Sequence, residues 1–252
     1  MPVIGAVRFR TLLALVLLLA AALRFTGLGF GLRHRPYPDE RVFVENAHRM
    51  VAERSLDHRY YEYPGLMFGL LAPVMAVVGV DRPPGPEAYL AARGLVAAFG
   101  VLSVGLVAVL GRRLMGPVGA LAAALFLAVS HVEVDAAHMV KPDVVLEAFV
   151  LLAFLAFRRV SERPLGDLAA GAALGAATAV KFSGVLLVPC YLLQRFLTPG
   201  SRGRGIALTA LAATVLFFVS TPYSLIHARS FITGGVLVQL RYHYRPEAAS
   251  MS

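Results

Sequence analysis

The sequence predicts an all-α polytopic membrane protein, with an amphipathic helix on the outer face after the first span. Three observations carry this. Hydrophobic residues make up 58% of the 252 residues and charged residues 15%, with a mean hydropathy of +0.70; a soluble domain carries about 25% charged residues. The apolar residues fall in runs, several close to the ~20 residues of a spanning helix. Arginines cluster between these runs, as they do in short cytoplasmic loops. A soluble enzyme, a disordered tail and a disulfide scaffold are thereby excluded. The one cysteine, Cys190, lies in an apolar run and has no partner within the chain. The net charge of +9, with 22 Arg and 2 Lys, is read as orientation charge. No nucleic-acid partner is expected, because no nucleic-acid motif accompanies it.

Residues 1–252 read as a single transmembrane domain. Arg8 and Arg10 precede the apolar stretch Thr11–Leu23, and Phe25–Leu32 extends it past Arg24. That length favours an uncleaved anchor over a signal peptide. Residues 33–63 form the first outer loop. Within it Asp39–Arg54 has helical spacing, with Phe43, Ala47, Met50 and Val51 on one face, as suits a helix lying on the membrane. Residues 64–80 are apolar but only 17 long, with Pro73 near the middle; this is short for a span. Further apolar runs are Ala88–Leu110, Pro117–Ser130, Asp143–Phe157, Leu168–Val180, Val185–Leu197 and Ile206–Val219. The tail after Tyr223 has no clear span.

Orientation follows from charge. Arg8/Arg10, Arg112/Arg113, Arg158/Arg159/Arg163 and Arg195/Arg202/Arg204 all read as cytoplasmic anchors. Helix parity allows this only if residues 64–80 do not cross. They are therefore expected to form a re-entrant or interfacial hairpin. The outer face then collects residues 33–63, His131–Asp143, the Lys181 turn and the tail. Of 15 acidic residues only Glu162 and Asp167 fall inside, and both lysines, Lys141 and Lys181, fall outside.

Four groups on that outer side could carry chemistry. Pro38-Asp39-Glu40 opens the surface helix. Its carboxylates suit a helix start, and equally a general base for an acceptor hydroxyl. His131, Asp135 and His138 share a face if helical and could hold a divalent metal; the alternatives are a solvated loop or a metal-free contact with substrate. The aromatic stretch Tyr60-Tyr61-Glu62-Tyr63-Pro64-Gly65 reads as an interfacial belt or as a platform for sugar rings. Arg93, Lys141 and Lys181 either snorkel to headgroups or bind a lipid phosphate.

In order and spacing these motifs resemble the protein O-mannosyltransferase and lipid A aminoarabinose transferase family, glycosyltransferase family 39, with the GT-C fold. The residues that carry the resemblance are Asp39-Glu40, Tyr61-Glu62-Tyr63-Pro64-Gly65-Leu66, Ala92-Arg93 and Gly111-Arg112-Arg113-Leu114. Ser130 to Lys141-Pro142-Asp143, Thr178-Ala179-Val180-Lys181-Phe182 and Thr221-Pro222-Tyr223 complete the set. The chain departs from the family at Pro64-Gly65, where a proline pair is usual. Family members are roughly twice as long, so the chain resembles the N-terminal part of a larger GT-C module.

The resemblance implies a membrane glycosyltransferase that moves a sugar from a polyprenyl-phosphate donor to an acceptor hydroxyl. Transfer would occur on the non-cytoplasmic face, with inversion and no cofactor. In a bacterium the membrane would be the inner one. By the same resemblance Asp39 is the catalytic base and Glu40 its partner. Arg93, Lys141 or Lys181 holds the donor phosphate, and Glu62, Tyr63, Asp143 and Tyr223 contact substrate. Two other readings stay open: a non-catalytic protein that binds or transports lipid-linked substrates, and an inactive truncated fragment.

Overall fold

The computed structural model describes residues 5–32, 37–160 and 164–244, except for the side chains of residues 240 and 242–244. Among the described residues the chain is helical and has no strand. The expected all-α membrane bundle is what is observed. Helix α1 (Ala6–Phe25) has 20 residues, about 30 Å at 1.5 Å per residue. It ends earlier than its apolar run, because Gly27 (φ 84°) and Gly31 (φ 71°) take left-handed turns. Its Ala20 packs on Val104 and Ala108 of α4 (Pro86–Leu114) and on Ala124 and Ala128 of α5 (Gly116–Val129). Leucines on its other side stay exposed, as a lipid-facing surface does.

Helix α5 breaks at Ser130 and bends by 57° into α6 (His131–Ala137). The carbonyls freed there need donors. Arg24, at the end of α1, supplies them to Leu127 and Ala128 at 3.0 and 2.9 Å. A Cβ on Gly100 would lie 2.8 Å from Arg24 Nε, so the glycine makes room for the guanidinium. Arg24 thus binds three helices together and does not simply interrupt an apolar run.

Helix α2 (Pro38–Ala52) begins with Pro at its first turn. Phe43, Ala47 and Met50 form its buried face, as the spacing predicts. That face is spent on protein and not on lipid. It packs on Met67, Phe68, Leu71 and Met75 of α3 (Leu66–Val78), and the same core takes in Ala92 of α4 and Val144 of α7 (Pro142–Phe157). The expected hairpin over residues 64–80 is one continuous helix of 13 residues with Pro73 inside it. At about 20 Å it is shorter than the ~30 Å hydrocarbon core.

Helix α8 (Pro164–Val180) and α10 (Arg202–Ser220) touch backbone to backbone. A Cβ on Gly171 would lie 2.3 Å from Thr209 O, and one on Gly175 2.5 Å from Ala213 O. This is the small-residue packing that brings membrane helices close together. Lys181 takes extended backbone and stops α8. A 3₁₀ turn (Phe182–Leu187) then leads into α9 (Val188–Leu197). After α10 come the short helices α11 (Tyr223–Ile226) and α12 (Ala228–Phe231), a π turn, and α13 (Leu237–Tyr244). Among the described residues α1, α4 and α10 are long and apolar enough to cross a membrane, and the bent α5–α6 pair would make a fourth.

Candidate functional site

One end of the bundle gathers most of the residues singled out from the sequence. Its floor is an ion pair between Glu40 in the first turn of α2 and Arg93 in α4, whose side chains are 2% and 1% exposed. Arg93 Nε and Nη2 donate to the two Glu40 oxygens, each at 2.7 Å. Arg93 Nη1 donates to the carbonyls of Leu28 and Phe30, both at 2.7 Å. Glu40 also accepts the Val140 amide at 2.9 Å. The paired fork is the strong geometry for guanidinium and carboxylate, and burial without it would be prohibitive. Arg93, expected as a donor-phosphate ligand, spends these bonds within the protein and is not among the residues that line the cavity described below. Glu40, held by the same bonds, is likewise not part of that lining.

Asp39 sits one residue earlier on the same helix and its side chain is 56% exposed. A helix turns about 100° per residue, so the two carboxylates cannot share a direction. Lys141 Nζ stands 4.0 Å from Asp39 Oδ2. Lys181 Nζ donates to Asp143 Oδ1 at 2.6 Å. Lys141 is the N-cap of α7, Asp143 lies in its first turn, and Lys181 ends α8. Two helix ends and the start of α2 therefore bring both pairs to one rim.

Tyr63 ties the rim together. Burial pushes its phenol up, and the charges of Asp39, Asp143 and Glu62 add to the effect, in that order. Three carboxylates thus face one phenol from three parts of the sequence. Tyr60 stacks on Tyr63 at 6.2 Å and donates its hydroxyl to Glu62 at 3.0 Å. A cavity of about 560 Å³ opens here, lined by Glu62, Tyr63, Lys181, Phe182, Leu186 and Gln239 among others. Val185 and Leu186, on the same lining, are 51% and 72% exposed, so the cavity has an apolar lip.

The far wall comes from the end of the described chain. Gln239 Nε2 donates to Glu62 O at 3.1 Å, and the Gly65 amide donates to Thr221 Oγ1 at 3.1 Å. A Cβ on Gly235 would lie 2.3 Å from Tyr61 O. Nothing in the sequence pattern flagged Gln239, which belongs to a stretch without a clear span. Phe182, next to Lys181, was visible as part of the interrupted run.

Tyr223 does not line this cavity. It stacks on His227 at 5.7 Å, and His227 Nε2 lies 3.7 Å from Asp57 Oδ2. Tyr61 donates its hydroxyl to Asp57 at 3.0 Å, and its phenol is pushed up to about 12, first by burial and then by that bond. Among the described residues no group of three or more His, Cys, Asp or Glu could hold a metal ion. α6 ends at Ala137, and His138 turns away to meet Leu23 O at 3.3 Å, so the structure does not bring His131, Asp135 and His138 together.

With this geometry in place, comparison with known sequences is informative. The family described as dolichyl-phosphate-mannose-protein mannosyltransferase matches residues 87–226, more than half of the chain. The chain belongs to this family. Its fold is similar to that of the Saccharomyces cerevisiae protein O-mannosyltransferase Pmt1–Pmt2 complex, solved bound to the sugar donor. The likeness has a TM-score of 0.69 at 22% sequence identity, over 90% of this chain and 35% of that one. The chain therefore spans about a third of the length of that mannosyltransferase chain. No curated protein sequence matches it. The helical bundle is thus GT-C-like, as the resemblance implied.

Proposed function

We propose that the chain is the catalytic-turn portion of a membrane glycosyltransferase that moves a sugar from polyprenyl phosphate to an acceptor hydroxyl. The observation that supports this most is the pairing of Asp39 with Lys141 and of Asp143 with Lys181 at the rim of one cavity with an apolar lip. The lipid tail would lie along Val185 and Leu186 while the phosphate enters beside Lys181. In the proposed step Asp39 takes the proton of the acceptor hydroxyl, whose oxygen forms a bond to the anomeric carbon. The bond from that carbon to the phosphate oxygen breaks, and its electron pair leaves on the polyprenyl phosphate. One displacement inverts the anomeric centre.

Lys181 and Lys141 meet the charge on the leaving phosphate, acting as fixed donors where charge develops. This step needs no resident cofactor. Glu62 and Tyr63 line the sugar's side of the cavity, Asp143 stands beside it through its pair with Lys181, and the Glu40–Arg93 pair holds Asp39 in place from behind. The reacting face is the non-cytoplasmic one, that of the inner membrane in a bacterial cell, because the arginine clusters lie at the other end of the helices.

The test uses Asp39→Asn in proteoliposomes with a polyprenyl-phosphate sugar. Transfer should fall by about 10² to 10⁴, the usual contribution of a general base. Binding of polyprenyl phosphate should persist, and a chelator should leave the wild-type rate unchanged. A variant with the full wild-type rate would remove Asp39 from the mechanism. Wild type that binds polyprenyl phosphate yet never transfers would favour the binding or transport reading.

A further inference from the structure

At the opposite end of the bundle, the start of α8, the end of α9 and the start of α10 enclose a second cavity of about 250 Å³. Its lining includes Asp167, Arg195, Ser201, Arg204 and Leu208. α8 has 17 residues, so this cavity lies about 25 Å from the Lys181 turn at the other end of that helix. It belongs to neither the Asp39 rim nor the step proposed there.

The cavity is built from the inside. Arg195 is 1% exposed and lies 3.9 Å from Asp167 Oδ1. Asp167 is held in turn: Tyr191 donates its hydroxyl to Oδ1 at 3.3 Å, and Thr209 donates to the Asp167 carbonyl at 2.9 Å. A Cβ on Gly205 would lie 2.7 Å from Arg195 Nε and 3.0 Å from Asp167 Oδ1. The glycine therefore lets guanidinium and carboxylate lie flat on the backbone of α10. Gly200 has φ +111°, a conformation other residues resist, and a Cβ on Gly203 would meet nothing within 4 Å. The loop into α10 is thus left open to an incoming group.

Among the described lining residues, two guanidinium groups, Arg195 and Arg204, stand against one carboxylate, Asp167. Arg204 is exposed and, among the described residues, has no salt-bridge partner. Arg202, the first residue of α10, lies over the Phe196 ring at 5.5 Å and adds a third cation at the same level. Guanidinium forks match phosphate oxygens. The volume is below the ~300 Å³ at which drug-sized pockets begin, which suits a headgroup and not a whole lipid. Leu208 lines it, and on the same two helices Phe196 and Leu197 of α9 and Leu211 of α10 are exposed and apolar.

We propose that this cavity binds the phosphate of an anionic phospholipid, with Arg204 as donor, the Arg195–Asp167 pair as the cavity's buried base, and acyl chains on the apolar residues beside it. Basic pockets between membrane helices recognise headgroups by the same chemistry.

The test is native mass spectrometry of the full chain in detergent with phosphatidylglycerol or phosphatidylcholine. Wild type should retain phosphatidylglycerol preferentially. Arg204→Gln should lose about fivefold of that preference, the size expected for one arginine at a lipid surface. Arg204 is exposed, so this variant should fold, and an unchanged melting temperature checks it. Arg8→Gln, at the same end of the bundle on α1, should keep the preference. The proposal is overturned if Arg204→Gln keeps it, or if Arg8→Gln loses as much. It is also overturned if inorganic phosphate at matched concentration displaces the lipid, which would make the site one for a soluble anion.

Discussion

The carboxylate of Glu40 meets Arg93 at 2.7 Å in a fully buried fork, whereas that of Asp39, one residue earlier, is half exposed and 4.0 Å from Lys141. The Lys181–Asp143 pair belongs with the second kind: it is short, at 2.6 Å, but open to solvent on both sides. The two settings do different work. A buried fork is costly to break, because the survivor is left charged and unpaired. An exposed pair is worth at most about 1 kcal/mol, so an incoming phosphate can take the lysine at little cost. The floor of the site is rigid and its rim is exchangeable for the same reason.

The largest effect is expected at the floor. Arg93→Met leaves Glu40 buried and alone, and should destabilise the protein by about 3–5 kcal/mol, read from thermal unfolding in detergent. A melting temperature near wild type would break the contrast between the two pairs. At the rim, Lys181→Met should cost about 3 kcal/mol of transition-state stabilisation, roughly a hundredfold in transfer rate. Its folding stability should change by less than about 1 kcal/mol. A large loss of stability without a specific loss of rate would move Lys181 into the structural class.

His58 sharpens the contrast from a third side. It is 2% exposed, stacks on Phe68 at 4.4 Å, and its ring Nδ1 accepts the Tyr60 amide. Burial pushes its pKa down to about 4, from 6.5. The unfolded chain takes up the proton first as pH falls. His58's contribution is therefore fully present above about pH 6.5 and is lost between there and about pH 4, amounting to roughly 3 kcal/mol at most. His58→Leu should flatten stability over that window, and an unchanged slope would assign it to other groups.

Much of the fold was legible because burial in lipid writes itself as long apolar runs. The start of α2 at Pro38 and the halt of α8 at Lys181 follow directly from Pro, Asp and Lys placed at the edges of such runs. Charges inside the bundle were harder to read. Arg24, Arg93, Arg195 and Asp167 looked like breaks, phosphate ligands or loop anchors. Each is buried against a partner 28 to 104 residues away, and one-dimensional spacing carries no sign of such pairing. Over residues 64–80 a single helix stands where a hairpin was expected, for a related reason. Helix α2 packs along α3, so this short apolar helix buries one face against protein. Of the rim, Asp39, Lys141, Asp143 and Lys181 were singled out by their place at the outer ends of apolar runs and by the family resemblance; that Gln239 would complete the wall was not.

Glu62 is translated 177 residues before the glutamine that holds its carbonyl. The acid and lysine turns therefore leave the ribosome with one side of their chamber still unwritten, and the chamber closes only when residues 221 to 239 arrive and fold back over Gly65 and Tyr61. Assembly is ordered in time: the charged rim comes first and its enclosure last.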